Sequence, residues 1–235
     1  MTCLTIVQTA CQRVGLTSPN AAIGNTDAQI IQMVALLNEE GEALATRHAW
    51  QAITKETSFT TVAAEVQGAL STIAPGLDYI INDTIWNRDL RRPVYGPLTK
   101  QRWQQRKAMA FQGPFNQFRI RGDDLLFIPE PTAGQTCYFE YISRYWCTDS
   151  TGATERAAFA NDADVGLLDE RILTLGLIWR WKAAKGFDYT ADLEKYERRV
   201  LDAIARDGSK DWINLADNRY DILPAVAVPS GSWNV

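Results

Sequence analysis

Apolar residues recur at three- and four-residue spacing at both ends of the chain, while the middle is written in short alternating runs broken by turn residues. At the start, Leu4, Val7, Cys11 and Val14 share one face of a short helix that stops at Gly15. The loop TSPNAAIGNTD follows, with Thr26 or Asp27 placed to cap a second helix. That helix runs from Ala28 to about Ala49 and carries Ile30, Val34, Leu37 and Leu44, flanked by Ile31, Met33 and Leu36. A stripe that wide predicts burial against more than one partner.

After Trp50 the pattern changes. TKETSFTT and the run from Tyr79 to Asn87 (YIINDTIWN) have the threonine, β-branched and aromatic content of strands, with Pro75 and Gly76 making a turn between them. In RRPVYGPLTKQRWQQRKAM two prolines and Gly96 bend the chain, and Thr99 caps a short helix carrying Trp103. QFRIRG, a turn at Gly122 to Asp124 and LLFIPEP read as a β-hairpin; after PTAG, TCYFEYISRYW alternates as a longer strand. The helical period then returns. TDSTGATERAAFANDAD reads as a polar connector, with Asp162 or Asp164 capping a helix that bears Leu168, Ile172, Leu175 and Trp179 and stops at Gly186. A second late helix starts near Asp188, with Leu193, Tyr196, Val200 and Ile204 on one face, and the short turn makes the two an antiparallel pair.

Neither helical end has enough apolar surface to stand alone, so packing the two together and looping the middle out is the economical solution. The expected class is α+β. Residues 1–50 and 160–208 form a discontinuous helical bundle, residues 51–159 an inserted antiparallel β domain, and residues 209–235 an extended C-terminal arm.

Composition narrows the function classes. At 235 residues and 46% hydrophobic content the chain can bury substantial cores. It has no run of the roughly 18 apolar residues that a membrane span needs, and its start lacks the basic leader and apolar block of a secretory signal, so folding in a cytoplasm and no membrane partner are expected. A net charge of -4 argues against a dedicated nucleic-acid binder. The cysteines Cys3, Cys11, Cys137 and Cys147 form no C-x-x-C pair, and His48 is the single histidine, so no metal or cofactor is expected and reduced, partly buried thiols are the better reading.

Four phrases carry a family resemblance: LLNEEGEALATRHAW; TIWNRDLRRPVYGPLT with Trp103 after it; FRIRGDDLLFIPEPTAGQTCYFEYIS; and DADVGLLDERILTLGLIWRWKAAKGFDY. Together, in this order, they resemble the head-to-tail adaptor proteins of short-tailed phages, the group that includes tail tubular protein A and related gatekeeper-ring subunits. The resemblance implies a non-enzymatic virion protein of the neck, made and assembled in the host bacterial cytoplasm. It further implies a ring of about twelve copies between the portal protein and the tail nozzle protein, with transient, non-specific contact to DNA in the lumen.

Three features are candidates for function. Arg88, Arg91, Arg92, Lys100, Arg102, Arg106 and Lys107 stand against a single acid, Asp89, in one stretch. Contact with an acidic neighbour, contact with DNA phosphates, and a solvated face with cationic stems over apolar surface are all compatible with that run. Trp212, Tyr220 and Trp233 sit among loop-forming residues and mark the arm for portal or subunit contact, with folding back onto its own helices as the alternative. Trp179 and Trp181 lie two apart on different sides of their helix, where both can fill a core or one can face a neighbour. The carboxylate pairs Glu39/Glu40, Asp123/Asp124 and Asp162/Asp164 are adjacent in sequence, which does not supply the separation that glycoside cleavage needs. No nucleophilic triad surrounds His48, so no catalytic residue is expected. A glycan-binding or peptidoglycan-cleaving tail protein is the alternative reading, and a free-standing DNA-binding module a third.

Overall fold

The computed structural model describes residues 2–109 and 113–208; the expectations for Trp212, Tyr220 and Trp233 and for the arm fall outside them. In chain order the elements are α1 (Cys3–Val14), α2 (Ala28–Arg47), β1 (Thr54–Thr60), β2 (Val66–Ala69), the single turn α3 (Leu70–Ile73), β3 (Leu77–Ile80), β4 (Trp86–Asn87), β5 (Arg92–Pro93), α4 (Lys100–Ala108), β6 (Gln117–Arg121), β7 (Asp124–Ile128), β8 (Thr136–Ser143), β9 (Cys147–Thr148), β10 (Glu155–Arg156), β11 (Val165–Gly166), α5 (Glu170–Lys185) and α6 (Thr190–Arg206). Mixed helices and antiparallel sheets make the class α+β, as expected.

Local chemistry sets the helix ends. Thr2 accepts from Thr5 N to open α1, and Gly15, at φ 77°, closes it with its own N–H on Cys11 O. Asp27 accepts from Gln29 N at 2.8 Å to open α2. Helix α5 is buried without interruption from Ile172 to Ile178 because α1, α2 and α6 all pack on it. A helix covered on several sides needs no polar stripe over that stretch. Leu37 of α2 and Leu175 of α5 belong to one apolar core, with Ile6, Val7, Tyr196 and Val200 from the other two helices.

This core also draws in residues from the middle of the chain: Ile53, Ile142, Trp146, Cys147 and Phe159. The segment read from sequence as a polar connector is folded. β9 pairs with β10 on one side and β11 on the other, and Cys3 N and Leu4 N of α1 bond to Asp164 O and Asp162 O at 2.8 and 3.2 Å. The expected cap is therefore corrected. Helix α5 opens at Asp169, which accepts from Arg171 N at 2.8 Å, and not at Asp162 or Asp164. Those two carboxylates are occupied elsewhere. Asp162 Oδ1 accepts from Ala22 N and Ile23 N at 3.0 and 2.7 Å, fastening the α1–α2 loop.

Asp164, buried, accepts from Ala160 N and Asn161 N at 2.7 and 2.9 Å and pairs with Arg156 at 2.9 Å. Burial alone would raise its pKa; the two N–H donors and Arg156 outweigh that and hold it below the usual aspartate range. Asp164→Ala is expected to cost about 2 kcal/mol, because three donors lose their acceptor. A carboxyl with a lowered folded-state pKa contributes its stability above the unfolded aspartate pKa and loses it as pH falls through the folded value. Urea midpoints of the wild type and Asp164→Ala should therefore differ at pH 7 and converge only as the pH falls below the ordinary aspartate value toward the lower folded-state one.

In the middle of the chain, β8 is the hub of the larger sheet. It pairs with β1 from Thr54↔Ile142 to Thr60↔Thr136 on one edge, and with β4 and β3 on the other. The run from Tyr79 to Asn87 is two strands, not one, because the chain turns at Asp83, whose φ is 62°. Phe59, Cys137, Phe139 and Tyr141 point to one face and meet Phe118, Leu125 and Phe127 of the smaller sheet, β2-β7-β6, in a second core. Phe59 packs edge-on to Phe127 and Phe139 with centroids 5.8 and 6.2 Å away. β7 is apolar at consecutive positions because both its faces are covered: Leu126 and Ile128 turn to the back, where Trp103 of α4 lies on them.

Candidate functional site

Helix α4 is built to be displayed. Thr99 Oγ1 accepts from Arg102 N at 3.3 Å to start it, and Trp103 is its one buried residue, pinning it against Leu98, Leu126 and Ile128. Its remaining side chains are exposed or half-buried, and Arg106 and Lys107 in its last turn suit the helix dipole. Earlier in the run, Arg92 lies in β5, and Arg91, in the turn before β5, takes a φ of 55°.

The seven cations do not act alike. Arg88 pairs with Glu56 and lies over the Tyr138 ring, 3.5 Å from its centroid. Lys107 pairs with Glu65 at 2.6 Å, and Arg92 sits 5.8 Å from the Phe115 centroid. Among the described residues, Arg91, Lys100, Arg102 and Arg106 make no ion pair. Asp89, the lone acid of the run, spends its carboxylate on Thr136 N at 2.6 Å. An exposed aromatic pair adjoins the basic residues: Tyr95 and Phe115 stack edge to face at 5.8 Å, and both are more than two-fifths exposed. Sequence reasoning did not single out these two rings. The signal was there, since RRPVYG sets Tyr95 three residues after Arg92 and GPF sets Phe115 beside a turn.

The other expected features fall into structural roles. Trp181 is buried, with Phe187 at 5.8 Å, while Trp179 is half-buried between Tyr189 and Tyr196 at 6.2 and 6.0 Å. Glu39 and Glu40 both pair with Arg180. Asp123 accepts from Ser71 N at 2.9 Å, and Asp124 opens β7. His48 lies 3.4 Å from Asp207 and packs edge-on to Trp50. The four cysteines are free and buried, and burial pushes the Cys3, Cys137 and Cys147 thiols up to about 12.

Residues 1–221 match the family described as SU10 adaptor protein. The chain belongs to the SU10 adaptor protein family. No curated protein matches the chain. Membership makes it a phage adaptor, a structural component of the virion neck, and the match takes in all four phrases on which the resemblance to head-to-tail adaptors rested. In this SU10 adaptor protein, no described helix is long and apolar enough to cross a membrane. Its exposed basic and aromatic groups include the cations of α4 and the cluster of Arg92, Tyr95 and Phe115.

Proposed function

We propose that this SU10 adaptor protein is a non-enzymatic subunit of a ring that connects the portal of a short-tailed phage to the tail nozzle and forms part of the DNA conduit. The observation that carries the reading is the family match over residues 1–221. A ring of about twelve copies closes through head-to-tail contacts between two unlike surfaces of each subunit. The four cations without an ion pair among the described residues, together with Tyr95 and Phe115, supply one such surface, suited to an acidic face on a neighbour or on the portal. Residues 1–50 and 160–208 serve as the stiff body of the ring, and residues 51–159 carry the lateral or tail-side surface. Trp212, Tyr220 and Trp233 reach the portal or the next subunit. Individually modest contacts then act together, so the assembled ring holds more strongly than one subunit. DNA meets the lumen only transiently, because a conduit must let the polymer slide.

Mixing the purified chain with its cognate portal and measuring particle size tests the reading. Joint particles support it; failure to join the portal or form rings, together with peptidoglycan cleavage, overturns it. The double charge reversal Arg102→Glu and Arg106→Glu should abolish association with portal or neighbours. It should leave the unfolding free energy within about 0.5 kcal/mol of the wild type, because Arg102 is exposed, Arg106 is half-buried, and neither makes an ion pair among the described residues.

A further inference from the structure

A cleft of about 950 Å³ lies between the two sheets beside the end of α2, lined chiefly by apolar residues that include Ala74, Leu77, Ile80, Pro97 and Ile120. Two strand edges border it. Among the described residues, β3 is hydrogen-bonded to β8 on one side only. Tyr79 stands opposite Ile142, and Ile81 N bonds Glu140 O at 3.0 Å, so the alternation of an antiparallel ladder turns the peptide groups of Ile80 away from β8. The same reasoning applies to β6. Arg121 and Asp124 close the two-residue turn at Gly122 and Asp123, so Phe118 and Ile120 present their peptide groups to the outer edge. Phe118 uses both of its own, accepting from Leu98 N at 2.8 Å and donating to Tyr95 O at 2.9 Å. Among the described residues nothing takes those of Ile120. The cleft thus offers an apolar floor and, at Ile80 and Ile120, donors and acceptors open to an added strand.

The chain itself holds a fitting occupant. The described chain stops at Gly208, which packs on Gln51, while Asp207 accepts from Gln51 N at 3.0 Å. Gln51 is two residues from Ala49 on the cleft wall. Ala225 lies seventeen residues beyond Gly208, a reach of at most roughly 56 Å when extended. From there the chain reads Ala225-Val226-Ala227-Val228, bounded by Pro224 and Pro229. Alternating small and β-branched residues suit a strand laid against the small lining residues Ala74, Gly76 and Gly122, and a proline at each end confines pairing to the four residues between.

We propose that the cleft is a docking site for residues 225–228 of this chain, which add as a short strand between β3 and β6 and bond to the peptide groups of Ile80 and Ile120. The inference stands whether or not the chain forms a ring. The donor is the same molecule, whose described part ends at Gly208 beside Gln51, close to Ala49 on the cleft wall.

Amide exchange in the full chain tests it directly. The Ile80 and Ile120 amides should exchange at least about tenfold more slowly in the wild type than in Val226→Pro, which removes one donor from the occupant. The melting midpoint of the variant, measured alongside, reports that the body is intact. Cross-linking gives an independent reading: with Ala227→Cys in place, a bismaleimide should join it to Tyr79→Cys on the cleft wall and not to Ile31→Cys on the exposed face of α2. An intramolecular product supports the site; an exclusively intermolecular product overturns it. Equal exchange in the two chains, or equal cross-linking to positions 79 and 31, overturns it.

Discussion

Gly41→Ala should cost about 3 kcal/mol of stability, lowering the melting midpoint by roughly 6–12 °C. A Cβ at Gly41 would overlap the indole of Trp146, which is 1% exposed and lies across α2 at that point. Trp146 cannot retreat. Its other side meets Phe159 edge-on with centroids 4.8 Å apart, and the segment that follows is tied into β9 and β11. One added methyl therefore displaces the largest side chain that the middle of the chain contributes to the helical core. Thermal and urea unfolding of Gly41→Ala and of Gly41→Ala with Trp146→Phe measure this. The smaller ring should recover part of the loss if overlap is the cause, and none if the helix itself has been disturbed.

Arg180→Met should cost a comparable amount, about 3–5 kcal/mol at neutral pH, since it strands a carboxylate. Glu40 is 0% exposed and pressed against Gly176 of α5, where a Cβ would overlap it. Its Oε2 accepts from Arg180 Nε at 2.6 Å. Burial pushes the Glu40 pKa up, while the Tyr196 hydroxyl and Arg180 pull it down. Among the described residues no hydrogen bond closes on Oε1. A carboxyl whose folded-state pKa is raised gives the folded state a stability advantage below the unfolded pKa, and that advantage is lost as pH rises through the folded value. Without Arg180 the folded-state pKa rises further. The Arg180→Met variant should thus lose stability more steeply than the wild type between pH 5 and 8 in urea titrations. Adding Glu40→Gln should recover most of the loss at pH 8 and remove the extra slope. A double variant as unstable and as pH-dependent as the single one would mean that Arg180 matters by packing alone.

These two contacts mark the limit of what could be read along the chain. Helix caps at Asp27 and Thr99, the stop at Gly15 and the hairpin at Gly122 follow from three or four neighbouring residues, and the structure has them where the spacing predicts. Gly41 and Gly176 carried no such signal. Each is a small residue inside a helix, and its importance comes from a side chain at least 100 positions away that needs the space. The misplaced cap at Asp162 or Asp164 has the same origin. Both are well placed to cap by type, but tertiary donors at Ala22, Ile23 and Arg156 claim them first.

The basic run divides along the same line. Its clustering, and the place of its last four cations on a helix capped by Thr99, were legible, because clustering and capping are local properties. Which cations remain free was not, because Glu56 and Glu65 come from β1 and the chain entering β2, and strand pairing brings them to Arg88 and Lys107. By itself the sequence determined the class, the order of helical ends around a β-rich middle, most element ends and the adaptor resemblance, since all of these are written in periodicity, caps and ordered phrases. Only the tertiary structure decided which charges are neutralised, which glycines are indispensable and where unpaired strand edges face a cleft, because each depends on groups distant in sequence arriving within a few ångströms of one another.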